Sequence, residues 1–240
     1  MQIRKKDYHR YSQVLNYIFL SFVALICIIP ALWLIYTSFK PRMLTFASPP
    51  VWINFSPTLE NYRRVIQEKN LIKPLYNSLL IVSTSTVITT IVGALAAYIF
   101  SRFKLGWIKP TLIAILTTNM IPPVVIILPI FLLARRLNLY DTHMMLIIVY
   151  IAFNLAFVIW MLRSFFQNIP AELDEAARVD GCSHFQAFRR VIMPVMWPGV
   201  ITTGLFSFLL GYNDFLVTSL LLDAQNQTMV PAIAGYFNRE

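Results

Sequence analysis

Residues 168–194 read Asn168-Ile-Pro-Ala-Glu-Leu-Asp-Glu-Ala-Ala-Arg-Val-Asp-Gly181-Cys-Ser183-His-Phe-Gln-Ala-Phe-Arg-Arg-Val-Ile-Met-Pro194. Pro170 suits the first turn of a helix, and Glu172, Asp174 and Glu175 favour the positive end of its dipole. Gly181 is placed to take the left-handed conformation that stops that helix. Ser183, with Gln186 three residues on, is a capping box for a second helix. There Phe185, Phe188, Val191 and Ile192 form an apolar stripe, with Arg189 and Arg190 away from it. Pro194 and Pro198 bracket the entry to a long apolar run. The stretch therefore predicts two short helices joined by a tight glycine turn. Ala176 and Ala177 are small enough for another surface to approach closely. No nucleophile is paired with a base, so nothing here is catalytic. A solvated connector needs neither two caps nor a glycine stop nor an alanine pair, which favours a docking element.

Working outward, this knuckle lies between charge-free runs. Five segments lack Asp, Glu, Lys and Arg for 21 or more residues: 11–39, 74–101, 110–134, 142–162 and 191–213. A helix rises ~1.5 Å per residue, so about 20 apolar residues cross the ~30 Å hydrocarbon core. The expected spans are 13–37, 77–100, 112–134, 144–162 and 198–222. Transmembrane barrel strands alternate apolar and polar residues, and these runs do not. The chain of 240 residues is 58% hydrophobic and 13% charged, against about 25% charged in soluble domains. That excludes a disordered chain, and five such runs argue against an ordinary soluble domain. The fold class expected is an all-α, polytopic membrane helix bundle.

Arg4, Lys5, Lys6 and Arg10 precede the first run, as in a signal peptide. The run is longer than an h-region of about 7–15 residues and is followed by Tyr-Thr-Ser-Phe-Lys-Pro rather than a small-x-small site. It reads as an uncleaved span behind a cytoplasmic N-terminus, residues 1–12. Alternation then puts Arg102, Lys104 and Lys109 in a short cytoplasmic loop and 163–197 in a long one. Segment 38–76 and the turn at Asp141 fall outside, and five spans leave Glu240 outside. Arg135 and Arg136, at the outer end of span three, run against the positive-inside bias and are outvoted by the two basic loops.

Within 38–76, Ser56 at the N-cap and Pro57 at the first helical position start a helix whose Leu59, Tyr62 and Ile66 share one face. It reads as amphipathic, lying on the membrane surface or on the bundle. Pro122, Pro123 and Pro129 break the hydrogen-bond ladder of span three, and irregular backbone is tolerated in a bilayer where protein or a cavity covers it. Asn119, Asn154, Asn213 and Asp214 are polar residues in the spans. They are the candidate pathway or gate residues, set against the alternatives of interhelical hydrogen bonding for the asparagines and of a span's end for Asp214. Cys27 and Cys182 lie on different sides of the membrane boundary and cannot make a disulfide scaffold. The three histidines, His9, His143 and His184, show no metal-ligand spacing. No metal site is expected.

Glu175-Ala-Ala-Arg-Val-Asp-Gly181, followed by Ile192-Met-Pro194, resembles the EAA loop of binding-protein-dependent ABC importer permeases. Pro57-Thr-Leu-Glu-Asn-Tyr62, Asn77-Ser-Leu79, Ile169-Pro-x-Glu-Leu173 and Tyr212-Asn-Asp-Phe215 resemble the carbohydrate-uptake, MalG-like branch, in the expected order along nearly the whole chain. The resemblance implies the type I importer transmembrane fold, with residues 77–240 as its core. It implies that Glu175, Ala176, Ala177, Asp180 and Gly181 contact a cytoplasmic ATPase subunit and transmit its closure to the spans. The partners it implies are a second, MalF-like permease chain, an ABC ATPase dimer, an external or periplasmic solute-binding protein and the lipid bilayer of a bacterial or archaeal cell, with no nucleic acid. Such permeases have six spans. Here five are present and the sixth, which would follow Phe237-Asn-Arg-Glu240, is missing: either the sequence is truncated or the protein lacks its last helix.

No GxxxxGK[ST] loop exists in the sequence, so the chain shows no P-loop and ATP with Mg is expected on the partner, with no cofactor on this chain. HExxH and G-x-S-x-G are also absent, and no enzyme activity is expected. Two rivals to an ATP-driven sugar importer remain. A secondary transporter needs ionisable groups in mid-span, and only peripheral Asp214 offers one. A non-transport membrane scaffold would not bind an ATPase subunit. Which sugar is carried is not written in the sequence.

Overall fold

The computed structural model describes residues 3–45, 47–67 and 70–237, with no side-chain description for 3–12, 14, 236 and 237. Asn238 to Glu240, after which a sixth span would follow and of which Glu240 was expected to lie outside, fall beyond the described residues. Every regular element among the described residues is helical. The chain divides into two units, residues 1–70 and 71–240.

In the first unit, α1 (Ile3–Ser38) carries the first apolar span over Leu15–Ser38, none of whose most apolar stretch is buried within the protein. A helix that is apolar all round and unburied suits lipid. Its end is tied down by the segment beyond it, which holds α2 (Arg42–Thr45) and α3 (Glu60–Gln67). Asn61 Nδ2 donates to the carbonyls of Ser38 and Lys40, and Lys40 Nζ to that of Val51. Tyr62 stacks beside Phe39 and shares a hydrogen bond with Ser38. The helix expected from Pro57 starts at Glu60 instead. The Thr58 hydroxyl accepts from Glu60 N–H, while Thr58 N–H is held by the Phe39 carbonyl at 2.8 Å, so residues 56–58 serve the loop rather than the helix.

The second unit is built on three long helices. These are α4 (Ile72–Arg102), α7 (His143–Gln167) and α10 (Met193–Tyr212). α4 and α7 overrun the expected span limits at both ends, because polar and basic residues there continue the same helices. Hydrophobic collapse does not drive helix association in lipid, so close approach at small residues does. A Cβ on Gly93 would lie 2.6 Å from Val158 Cγ1, and one on Gly199 2.8 Å from Phe165 Cγ. α4 and α10 each meet α7 at a glycine.

Span three is not the single helix expected over 112–134. It is split into α5 (Ile108–Asn119) and α6 (Pro123–Arg136), which meet at 91°. Pro123 forces its predecessor out of the helical region: Pro122 has φ −59° and ψ 131°. Pro129 sits inside α6 without ending it.

Span five differs from expectation at both ends. The second short helix of the loop, α9 (His184–Ala187), runs without a break through a π-helical turn (Phe188–Ile192) into α10, one helical run His184–Tyr212. Pro194 has no N–H for the Arg190 carbonyl and its ring would strike it. The widened turn relieves this, with Met193 N–H donating to Phe188 O. At the other end α10 stops at Tyr212 rather than Leu222, and α11 (Leu216–Leu221) is separate. α8 (Glu172–Val179) and α12 (Met229–Phe237) complete the unit.

The contacts fix which ends lie together. Arg102 at the end of α4 pairs with Asp174 of α8, so the basic loop 102–109 shares the end of the bundle that carries 163–197. At the opposite end, Asp141 accepts from Asp223 N–H at 2.8 Å and from Asn226 Nδ2 at 3.0 Å, and Asn77 donates to the carbonyl of Asn226. Arg135, which runs against the positive-inside bias, lies 4.7 Å over the Tyr140 ring and 5.1 Å over that of Phe131, two cation–π contacts that hold it there.

Candidate functional site

The glycine stop and the capping box form as expected, whereas Pro170 precedes α8, which begins at Glu172, and the second helix opens the long run His184–Tyr212. α8 has Glu172, Asp174 and Glu175 in its first turn and Arg178 in its last, each at the favourable end of the dipole. Its stop is a full Schellman motif: Gly181 N–H donates to Arg178 O and Cys182 N–H to Ala177 O, both at 3.0 Å. This needs a left-handed residue, and Gly181 has φ +83°. The capping box closes as expected, Ser183 N–H to Gln186 Oε1 at 2.8 Å and Gln186 N–H to Ser183 Oγ at 3.3 Å.

Of the five residues expected on a partner contact, Glu175, Ala176, Asp180 and Gly181 are exposed, and a Cβ on Gly181 would meet nothing within 4 Å. Ala177 does not share that exposed face. It is buried, 5% exposed, facing the chain's own fold where α8 packs on α9 and the π-helical turn. Its small side chain serves an internal approach, leaving Ala176 as the outward one. The sequence reading missed Val179, which is 88% exposed at the last turn of α8; of the apolar stripe, Phe185 is 61% exposed. Phe188 and Ile192 of that stripe are buried, and Val191 is half-buried. The signal for Val179 was available: an aliphatic residue following the charged Arg178 in the last turn, two residues before the glycine stop.

Beneath the exposed face, α8 is fastened inward. Arg102 Nε lies 2.7 Å from Asp174 Oδ2, the Tyr98 hydroxyl donates to Asp174 Oδ1 at 2.6 Å, and Arg102 Nη1 donates to the Ile169 carbonyl at 3.0 Å. Both side chains of the ion pair are nearly buried, 11% and 13% exposed. The Tyr98 ring packs 4.9 Å from Phe188 and 5.8 Å from Phe166. These aromatic walls keep water from the charges, where a paired charge is held firmly and an unpaired one is costly.

The four candidate pathway residues are not brought together. Asn119 is exposed at the 91° break and lines a recess of ≈ 130 Å³ with Thr118, Ile121, Pro123, Ile126 and Phe153. Asn154 is half-buried on α7, next in sequence to Phe153 but not in that lining. Asn213 is exposed, its amide donating to the Leu209 carbonyl. Asp214 belongs to a separate cluster. Its Oδ2 accepts from the Tyr150 hydroxyl and from Thr218 N–H, both at 3.2 Å, and the Tyr150 and Thr218 hydroxyls lie 2.8 Å apart. Asp214 thus lies just past the end of α10, and its carboxylate ties α11 to α7. No group of three or more His, Cys, Asp or Glu among the described residues could hold a metal ion.

Comparison with known proteins agrees with this architecture. The Probable ABC transporter permease protein y4oR of Sinorhizobium fredii is 34% identical, over 91% of this chain and 78% of its own. The Sulfoquinovosyl glycerol transport system permease protein SmoH of Agrobacterium fabrum is 33% identical, over 85% and 71%. The Trehalose/maltose transport system permease protein MalG of Thermococcus litoralis is 32% identical, over 90% and 77%. Among solved structures, a bacterial ABC transporter involved in the import of the acidic polysaccharide alginate has a chain with the same fold, with TM-score 0.71 and 24% identity over 95% of this chain and 80% of that one. Residues 89–239 match the family described as Binding-protein-dependent transport system inner membrane component. Its members are non-catalytic, multi-pass permease subunits of the inner membrane, and the chain belongs to that family.

Proposed function

We propose that this permease serves a carbohydrate importer, supplies half of the translocation pathway, and receives ATP-driven motion through the exposed face of α8. The knuckle carries the reading. It is a projection with a capped stop at Gly181 and a capping box at Ser183, with Glu175, Ala176, Val179 and Asp180 outward, on the end of the bundle that gathers Arg102, Lys104 and Lys109. On the positive-inside rule that end is cytoplasmic, and the basic residues Arg4, Lys5, Lys6 and Arg10 support a cytoplasmic N-terminus by the same rule. The partners are a second permease chain, a pair of ATPase subunits that carry ATP and Mg, and an external solute-binding protein. A ligand shifts a two-state protein only through unequal affinity for its states, so ATP and the loaded binding protein each favour the outward-open form. The carbohydrate class rests on the names of the relatives, MalG and SmoH among them. The test is co-purification of an ATPase subunit with the tagged permease. Binding by the wild type, lost in Glu175→Arg, supports the reading; a permease that binds no ATPase subunit overturns it.

A further inference from the structure

We infer that Asp174, Arg102 and Tyr98 form a joint through which α8 drives α4 directly. The inference rests on the coupling reading above. α8 has eight residues, and its backbone connects it to the end of α7 on one side and through Gly181 to α9 on the other. A lever joined only by such links would hand its motion to α7 and α10 and leave α4 to follow by packing. The structure supplies a third connection that is not along the chain. Asp174 points away from the exposed face of α8, pairs with Arg102 in the last turn of α4 at 2.7 Å and takes the Tyr98 hydroxyl one turn earlier at 2.6 Å. Arg102 also binds the Ile169 carbonyl, the hinge between α7 and α8, at 3.0 Å. Arg163 Nε adds a longer contact from α7 to the Phe100 carbonyl, 3.4 Å. The guanidinium thus joins the end of α4 to both α8 and its hinge, with geometry that a single amine cannot copy. These are positioning residues; none touches ATP or solute.

The joint is tested in the assembled transporter in proteoliposomes, by the ratio of solute imported to ATP hydrolysed. The variants are Asp174→Asn, Arg102→Gln, Tyr98→Phe and the double variant Arg102→Gln/Asp174→Asn. The single charge variants should retain the ATPase subunit and lose tenfold or more in that ratio, with Tyr98→Phe losing a few-fold. A buried lone charge can also lower the amount of folded protein, and the double variant removes that complication. It should return to wild-type membrane levels and stay uncoupled. A wild-type ratio in the single variants, or its recovery in the double variant, overturns the joint and leaves Arg102–Asp174 a structural pair. Failure of the wild-type chain to bind any ATPase subunit would instead overturn the coupling reading on which the joint rests.

Discussion

Cys182 donates its backbone N–H to the Ala177 carbonyl at 3.0 Å, across Gly181. With the bond from Gly181 N–H to Arg178 O it turns the chain from α8 into α9, and the pair needs the left-handed Gly181, φ +83°. The space around Gly181 is empty within this chain, so a substitution there strains the backbone without an internal clash.

Gly181→Val should therefore leave the protein inserted but uncoupled. A β-branched residue resists positive φ, and the left-handed conformation costs it about 1–2 kcal/mol. Gly181→Asn, which tolerates that region, should keep most transport. Uptake assayed at matched membrane levels checks both, and wild-type uptake by the valine variant would remove the need for the turn.

Helix contact at glycine makes a graded prediction. Gly93→Ala must push a methyl to 2.6 Å from Val158 and should destabilise by about 1–3 kcal/mol. Gly204→Ala meets nothing nearer than Thr90 Oγ1 at 3.7 Å and should be neutral or gain up to ~1 kcal/mol from helix propensity. Thermal unfolding in detergent should rank Gly204→Ala at or above the wild type and Gly93→Ala below it.

The Tyr150–Asp214–Thr218 cluster separates anchoring from transport. Asp214→Ala strips the acceptor from a buried tyrosine hydroxyl and a backbone N–H, and should cost about 1–3 kcal/mol. Asp214→Asn keeps an acceptor oxygen and should fold nearly as well. If transport by Asp214→Asn is normal, Asp214 is an anchor alone; a change in uptake at unchanged stability would assign it to the pathway.

At the opposite end of the bundle, Asp141 has φ +59° and accepts from two groups of the 223–226 segment. Asp141→Asn keeps both the tolerance for that conformation and an acceptor. Asp141→Val loses both and should cost about 1–3 kcal/mol. Hydrogen exchange at residues 221–229 reports it, with faster exchange expected in the valine variant only.

How much of this could be read from the residues depends on how local each feature is. The Schellman stop at Gly181 and the box at Ser183 each involve residues within five positions, so the sequence determines them. The spans are legible because lipid imposes a length and a polarity on them. The 91° bend at Pro122-Pro123 was half legible: two adjacent prolines must interrupt a helix, but nothing in a single sequence sets the angle. The continuous run from His184 to Tyr212 was misread because prolines at 194 and 198 look like a boundary, whereas a π-helical turn absorbs the first and α10 contains both. Arg102 read only as a positive charge at a loop, and its bond to Asp174, far along the chain, has no local signature. Ala177 read as outward because helical spacing alone cannot say which of two adjacent alanines faces the bundle.

The most direct test of the account is a photoreactive residue placed at Val179, the most exposed apolar position on the knuckle, in the assembled transporter in native membranes. The account predicts an adduct with the ATPase subunit from position 179 and none from Ile113 on the outer surface of α5. An ATPase adduct absent at 179, in membranes where the two subunits co-purify, would contradict the claim that this surface is where the motor takes hold.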